Sequence, residues 1–161
     1  MKIYLASPLG FSEVGRDFYY SKIVPTLKRL GYEILDPWQT TDRKKLQRVS
    51  KMTYGLKKKS AWQTLNSEIC QNNISAIQKS QGIFAVLDGV DVDSGTASEI
   101  GFAFALGKPI LGYRGDFRLS SDNEGGIVNL QVEGFIRKSG GDIITEIAQL
   151  PSHALRVFGS P

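Results

Sequence analysis

Three aspartates and one glutamate fall within twelve residues, in Asp88-Gly-Val-Asp-Val-Asp-Ser-Gly-Thr-Ala-Ser-Glu99. Carboxylates at that density can act as nucleophile, general acid or base, metal ligand or helix cap, and their positions separate these roles. Glu99 interrupts an otherwise apolar helical stretch, Ala97 to Leu106. Burying a carboxylate without a partner is costly, so Glu99 must face a partner or a cavity. Positive potential near the amino end of the helix favours the ionised form. An ionised, positioned carboxylate suits attack on a carbon acquiring positive charge, such as an anomeric centre. General acid work, which needs a raised pKa, suits it less. Asp93 and Ser94 stand where short oxygen-bearing side chains cap a helix. Asp88, Asp91 and Asp93 could hold Mg²⁺, but alternating side chains in a turn need not converge, and no metal is expected.

Each residue also has a plainer role. Asp93 could be a cap alone, and Glu99 could pair with an arginine. Tyr4 could be core, Asn73 a loop fastener, and Asn129 the N-cap of a later helix. Trp38 and Gln39 follow the Asp36-Pro37 turn, as part of a lid or an exposed loop.

The elements that must position these groups alternate between strand and helix. Lys2–Ala6 reads as a first strand, ended by Ser7-Pro-Leu-Gly10. A helix from about Glu13 to Leu30 follows, with a kink or break near Lys22 because Pro25 lies inside it. Tyr32 to Leu35 reads as a second strand and Ala61 to Ser80 as a helix with Asn73 on its inward face. Gly82 to Leu87 is a buried third strand, and the next helix starts near Ser94. Ile110 to Tyr113 is a fourth strand, Asp116 to Gly126 a mobile polar loop and Val128 to Arg137 a short helix. A brief strand around Asp142 to Ile144 and a last helix, Glu146 to Leu155, complete the series.

Five strands with intervening helices favour an α/β fold, a parallel sheet covered on both faces. The expected topology is flavodoxin-like and doubly wound, in the order 2-1-3-4-5, with the ends of strands one and three at the switch point where ligands bind. The Tyr4–Gly10 turn and the Asp88–Glu99 turn then share one crevice.

A chain of 161 residues, 41% hydrophobic and 22% charged, fits one domain with a real core, spanning 1–161. No apolar run reaches the about 20 residues of a bilayer span, so no membrane partner is expected. One cysteine, Cys70, and one histidine, His153, disfavour an internal disulfide, a multi-Cys zinc site, a Ser/His/Asp triad and a His-based metal site. They fit a reducing cytoplasm. The net charge of +4 is uneven: Arg43, Lys44, Lys45, Arg48, Lys51, Lys57, Lys58 and Lys59 form a basic flap at about 40–60. A solvated flap is the expectation, not a nucleic-acid site. Phosphate-binding and dinucleotide glycine motifs do not occur, which disfavours a P-loop NTPase or a dinucleotide dehydrogenase. No cofactor is expected.

Ile3-Tyr4-Leu-Ala-Ser-Pro8, Asn73-Ile-x-x-Ile77, Asp88-Gly89, Asp93-Ser-Gly-Thr-Ala-x-Glu-Ile-Gly101, Gly107-Lys-Pro109 and Asn129-Leu-x-Val-Glu133 together resemble the nucleoside 2-deoxyribosyltransferases. The matched segments run in order from the first strand to about residue 137. The resemblance implies a flavodoxin-like subunit that exchanges the base of a 2′-deoxynucleoside for a free nucleobase in nucleoside salvage. By it, Glu99 attacks C1′ to leave a covalent deoxyribosyl ester, Tyr4 orients Glu99, and Asp93 binds the sugar hydroxyls. It also implies a homo-oligomer in which Asn129 reaches the 5′-hydroxyl in a neighbouring subunit's site.

Many members carry aspartate where this chain has Asn73, at a position contacting the base. Asparagine can hydrogen-bond a base edge but cannot donate a catalytic proton in the same way. Asp88, Asp36 or water is then left to protonate the leaving base, and Gln39 is a candidate for base recognition. The alternatives are an N-glycoside hydrolase of 2′-deoxynucleosides or their 5′-monophosphates, and a non-catalytic nucleotide-binding module.

Overall fold

In the computed structural model, which describes residues 1–160, five parallel strands form one sheet in the order β2-β1-β3-β4-β5. The strands are β1 (Lys2–Ala6), β2 (Glu33–Leu35), β3 (Gly82–Val86), β4 (Ile110–Tyr113) and β5 (Asp142–Ile144). The three central strands are apolar and buried almost throughout, as sequences must be when both faces of a sheet are covered. The expected topology and doubly wound architecture are therefore present.

Side-chain alternation divides the core in two. Ile3, Leu5, Phe84 and Val86 pack against the chain from Tyr19 to α2 (Val24–Arg29) and against α8 (Leu150–Phe158). Tyr4, Ala6, Ile83 and Ala85 face α5 (Leu56–Lys79), α6 (Ser94–Ala105) and α7 (Leu130–Lys138). A one-residue shift in β1 would send Tyr4 to the wrong side, so its register matters for chemistry. Tyr4 pairs with Leu35 of β2 and Ile83 of β3.

The first helical region is divided as Pro25 predicts, but by a wide turn rather than a break. α1 (Glu13–Phe18) runs into a π turn at Tyr19–Ile23 and then into α2. Proline has no N–H for the carbonyl four residues earlier, and its ring crowds that carbonyl. The widened turn sends two consecutive tyrosines to one target: Tyr19 and Tyr20 both donate to Asp36, at 3.0 and 2.9 Å.

After β2 come two short helices, α3 (Pro37–Thr40) and α4 (Arg43–Ser50). Helix α5 begins at Leu56, five residues before the predicted start, so its basic first turn extends the flap. Of the eight flap cations only Lys45 forms an ion pair among the described residues, at 2.8 Å to Glu68. The loop from Asp116 to Gly126 is more tied down than its polarity suggests. Asp88 accepts from Asp116 N at 2.9 Å, Asp122 from Leu130 N at 2.7 Å, and Glu133 from Ile127 N at 2.8 Å. No helix among the described residues is long and apolar enough to cross a membrane.

Candidate active site

Helix α6 brings the two carboxylates of interest onto one wall. Asp93 is its N-cap: Oδ2 accepts from Thr96 N at 3.0 Å and from Thr96 Oγ1 at 3.3 Å, leaving Oδ1 available. Glu99 lies on the second turn and meets no arginine. Its Oε1 instead accepts from the Tyr4 hydroxyl at 2.6 Å and from Asn73 Nδ2 at 3.4 Å. β1, α5 and α6 therefore converge on one carboxylate at the β1–β3 switch point, where an open α/β sheet offers its ligand crevice.

Beside it lies a cavity of about 370 Å³. Asn73, Asp93, Gly95, Thr96 and Glu99 form its polar side, and Phe11, Pro37, Trp38, Leu46 and Ile69 an apolar one, with Ser7 and Thr41 at the margin. Trp38 is fixed three ways. Its Nε1 donates to Ser7 O at 3.2 Å, its N–H donates to Asp36 at 3.0 Å, and Phe11 meets its ring edge-on at 4.8 Å. Gly10 makes this wall possible, because a Cβ there would stand 2.2 Å from the indole ring. A lining that combines an indole and other apolar side chains with two carboxylates suits a ligand with both an apolar ring and hydroxyl groups. A second apolar cavity, about 480 Å³, opens between α5 and α6 and shares Ile69, Asn73 and Glu99 with the first.

The electrostatics depart from expectation at one point. Glu99 was expected to be held ionised, yet its carboxyl is pushed up to about 7. Burial is the main cause. The Tyr4 hydrogen bond pulls the other way, and the Asp93 charge raises it further. The helix-end potential acts over the first turn, where Asp93 already sits, and Glu99 lies beyond it. Tyr4 is itself held protonated well above the ordinary phenol range, by burial first and then by Glu99. It is therefore a donor to Glu99 at every working pH.

Tyr4, Asn73, Asp93 and Glu99 are thus brought together, while Asp88, Gln39 and Asn129 are not among the cavity-lining residues. Asp88 turns to Asp116 N and fastens the loop after β4. Asp91 bonds Val92 N at 2.7 Å, so the three aspartates point to separate backbone donors rather than to one ion. Gln39 is exposed on α3, and Trp38 and Pro37 of the same turn line the cavity in its place. Asn129 caps α7, accepting from Gln131 N at 3.0 Å and Val132 N at 3.4 Å. Asp36 is not in the lining either; with three donors directed at it, it fixes Trp38. In the sequence Trp38 is open to two readings, lid or exposed loop, and Phe11 carries no signal; in the structure the two together form a cavity wall. Asp36-Pro37-Trp38 carries its signal: an aspartate capping a one-turn helix that starts with proline, which aims the third residue.

A family model described as nucleoside 2-deoxyribosyltransferase matches residues 3–131. No curated protein matches the sequence significantly. Among solved structures, a conserved protein from Enterococcus faecalis V583 superposes with a TM-score of 0.72 at 24% identity, over 95% of this chain and 96% of that one. A 2-deoxyribosyltransferase from Bacillus psychrosaccharolyticus gives 0.64 at 22% identity, over 94% and 90%. A CMP N-glycosidase from Clostridium botulinum gives 0.57 at 16% identity, over 94% and 96%. At these identities the superpositions establish a shared fold.

Proposed function

Since this chain belongs to the nucleoside 2-deoxyribosyltransferase family, we propose that it exchanges the base of 2′-deoxynucleosides through a covalent deoxyribosyl-Glu99 ester, in nucleoside salvage in the cytoplasm. The observation that carries this reading is the 2.6 Å bond from Tyr4 to Glu99 at a cavity that also holds Asp93. In the first half-reaction a Glu99 oxygen lone pair bonds to C1′. The C1′–N pair departs with the base, which takes a proton from water. In the second, a nitrogen lone pair of the incoming base attacks C1′, the C1′–O pair returns to Glu99, and the base loses its proton. Two displacements retain configuration and divide one hard step into two easier ones.

Asp93 Oδ1 is the acceptor for the sugar hydroxyls, and the Trp38–Phe11 wall is the surface on which the base lies. Stacking of a base on an aromatic side chain contributes about 1–3 kcal/mol. The lining contains no basic side chain, which favours a nucleoside over its 5′-phosphate, since an anion next to Asp93 would be repelled. Asn129 is assigned to a neighbouring subunit's substrate. It lies outside its own cavity and next in sequence to the exposed Leu130, an apolar side chain that a second subunit would cover.

A hydrolase is the second reading, with water taking the place of the acceptor base. The fold shared with an N-glycosidase favours it. Incubation of deoxyinosine with and without adenine separates the two. Deoxyadenosine forms only by transfer, whereas free deoxyribose in the absence of adenine reports hydrolysis. Trapping labelled deoxyribose on the wild type but not on Glu99→Gln tests the ester directly, and equal labelling of both would discard it.

A further inference from the structure

Two donors meet a single oxygen of Glu99. Tyr4 from β1 and Asn73 from α5 both bond to Oε1, and no side chain among the described residues donates to Oε2. Only one orientation of the Asn73 amide permits this, because in the reverse one its carbonyl oxygen would oppose the carboxylate. That orientation leaves Asn73 Oδ1 buried with no hydrogen-bond partner, a condition folded proteins seldom tolerate. The amide is thus turned so that its nitrogen, not its oxygen, meets Glu99.

Resting on the reading of Glu99 as nucleophile, we infer that Asn73 is a positioning residue that pins Oε1 together with Tyr4 and leaves Oε2 as the oxygen that bonds to C1′. In the ester Oε1 is then the carbonyl oxygen. When the second base attacks C1′ and the C1′–O pair returns, negative charge develops on a carboxylate already facing two N–H and O–H donors. Donors set in advance where charge appears lower the barrier without reorganisation. This assignment differs from a base contact, because it acts on the nucleophile whichever base is bound.

Neutrality is part of the role. The titratable groups around Glu99 are Tyr4 of β1, Asp93 at the head of its own helix, and Asp36 beyond Tyr4 at the end of β2. Cys70 of α5 lines the adjoining cavity, and α3 and α4 present no charged side chain to the cavity. An aspartate at position 73 would put a second carboxylate where the donor nitrogen now is.

The test uses Asn73→Asp, which is isosteric, and Asn73→Ala. Glu99 is titrated in the resting protein by ¹³C NMR of carboxyl-labelled glutamate, its signal assigned by its loss in Glu99→Gln. In Asn73→Asp the midpoint should rise by about one pH unit or more, as for two carboxylates sharing a site. The pH of half-maximal transfer should rise with it. Asn73→Ala should slow transfer at least tenfold for adenine and hypoxanthine acceptors alike. An unmoved midpoint in Asn73→Asp would overturn the inference. So would an Asn73→Ala variant that changed the adenine-to-hypoxanthine ratio at undiminished rate, since that is the mark of a base contact. Complete absence of transfer and hydrolysis in the wild type would instead remove the reading of Glu99. It is told apart because the titration needs no turnover.

Discussion

Tyr4 and Glu99 are 95 positions apart in sequence and 2.6 Å apart in space, phenol oxygen to carboxylate oxygen. The phenol is fully buried at the centre of the sheet and the carboxylate stands at the cavity. One bond thus anchors a mobile type of side chain, with three rotatable bonds, to β1, a buried inner strand paired on both sides. The same bond draws the Glu99 pKa down while burial drives it up, and burial prevails. The balance leaves the proposed nucleophile close to its titration point near neutral pH.

Tyr4→Phe keeps the packing and removes the bond. A hydrogen bond to a charged group contributes about 1.5–3 kcal/mol, so the midpoint of the pH–rate profile should move up by about one to two units. The rate at pH 7 should fall about five- to fiftyfold as the ionised fraction shrinks. A profile superposable on the wild type would show that the bond does not act on Glu99.

Attack requires the carboxylate, so wild-type activity should rise with pH through about 7, following loss of the Glu99 proton. It should then level off. Activity that declines between pH 6 and 8 would identify Glu99 as an acid rather than a nucleophile.

The raised pKa also has a signature in stability. Between the ordinary value of 4.5 and about 7 the folded protein keeps a proton that the unfolded chain has lost. Stability therefore falls as pH climbs through that window, and the full cost is present above it. Glu99→Gln should be more stable than the wild type at pH 8, by on the order of 3 kcal/mol, and should match it at pH 4. Denaturant midpoints at the two pH values check this, and equal differences at both would refute it.

Trp38→Ala removes the aromatic wall but neither carboxylate. KM for the acceptor base should rise about tenfold or more, in line with about 1–3 kcal/mol of stacking, and kcat should change less. Gly10→Ala, whose Cβ would displace the indole, should reproduce the KM effect in a milder form. Steady-state kinetics with both variants decide it.

Asn129 caps α7, and the proposed oligomer gives it a second, separable role in a neighbouring site. On that reading Asn129→Ala loses both the cap, about 0.5–2 kcal/mol, and a substrate hydrogen bond of about 1–3 kcal/mol. Asn129→Ser keeps capping ability and should restore Tm while KM stays high. If the residue serves a neighbouring site, mixed Asn129→Ala and Glu99→Gln subunits should regain the low KM that Asn129→Ala alone lacks and the activity that Glu99→Gln alone lacks. Mixing without any gain would confine Asn129 to the cap.

Several particulars show how legible the chain is. The importance of Glu99 follows from its being the one charge in an apolar helix, while chirality and strand count narrow the sheet to a few orders, of which the expected 2-1-3-4-5 is the one present. The π turn at Tyr19–Ile23 was only half visible: Pro25 announces a disturbance, but whether a helix breaks or widens depends on what its side chains then reach, here Asp36. Gln39 and Trp38 are adjacent in sequence, and local pattern gave no ground for preferring the indole as cavity wall.

By itself the sequence determined what depends on local chemistry and spacing. Alternating apolar strands, helix caps and the order of elements are set by nearest-neighbour sterics and by burial along one segment, and these are written residue by residue. The three-dimensional arrangement decided everything that depends on dielectric environment and on approach between distant segments. It turned an ionised glutamate into one titrating near neutrality, because desolvation is a property of all the atoms packed around a group. It also chose which oxygen of Glu99 receives Tyr4 and Asn73, because a hydrogen bond across 95 residues is specified only once the sheet has formed.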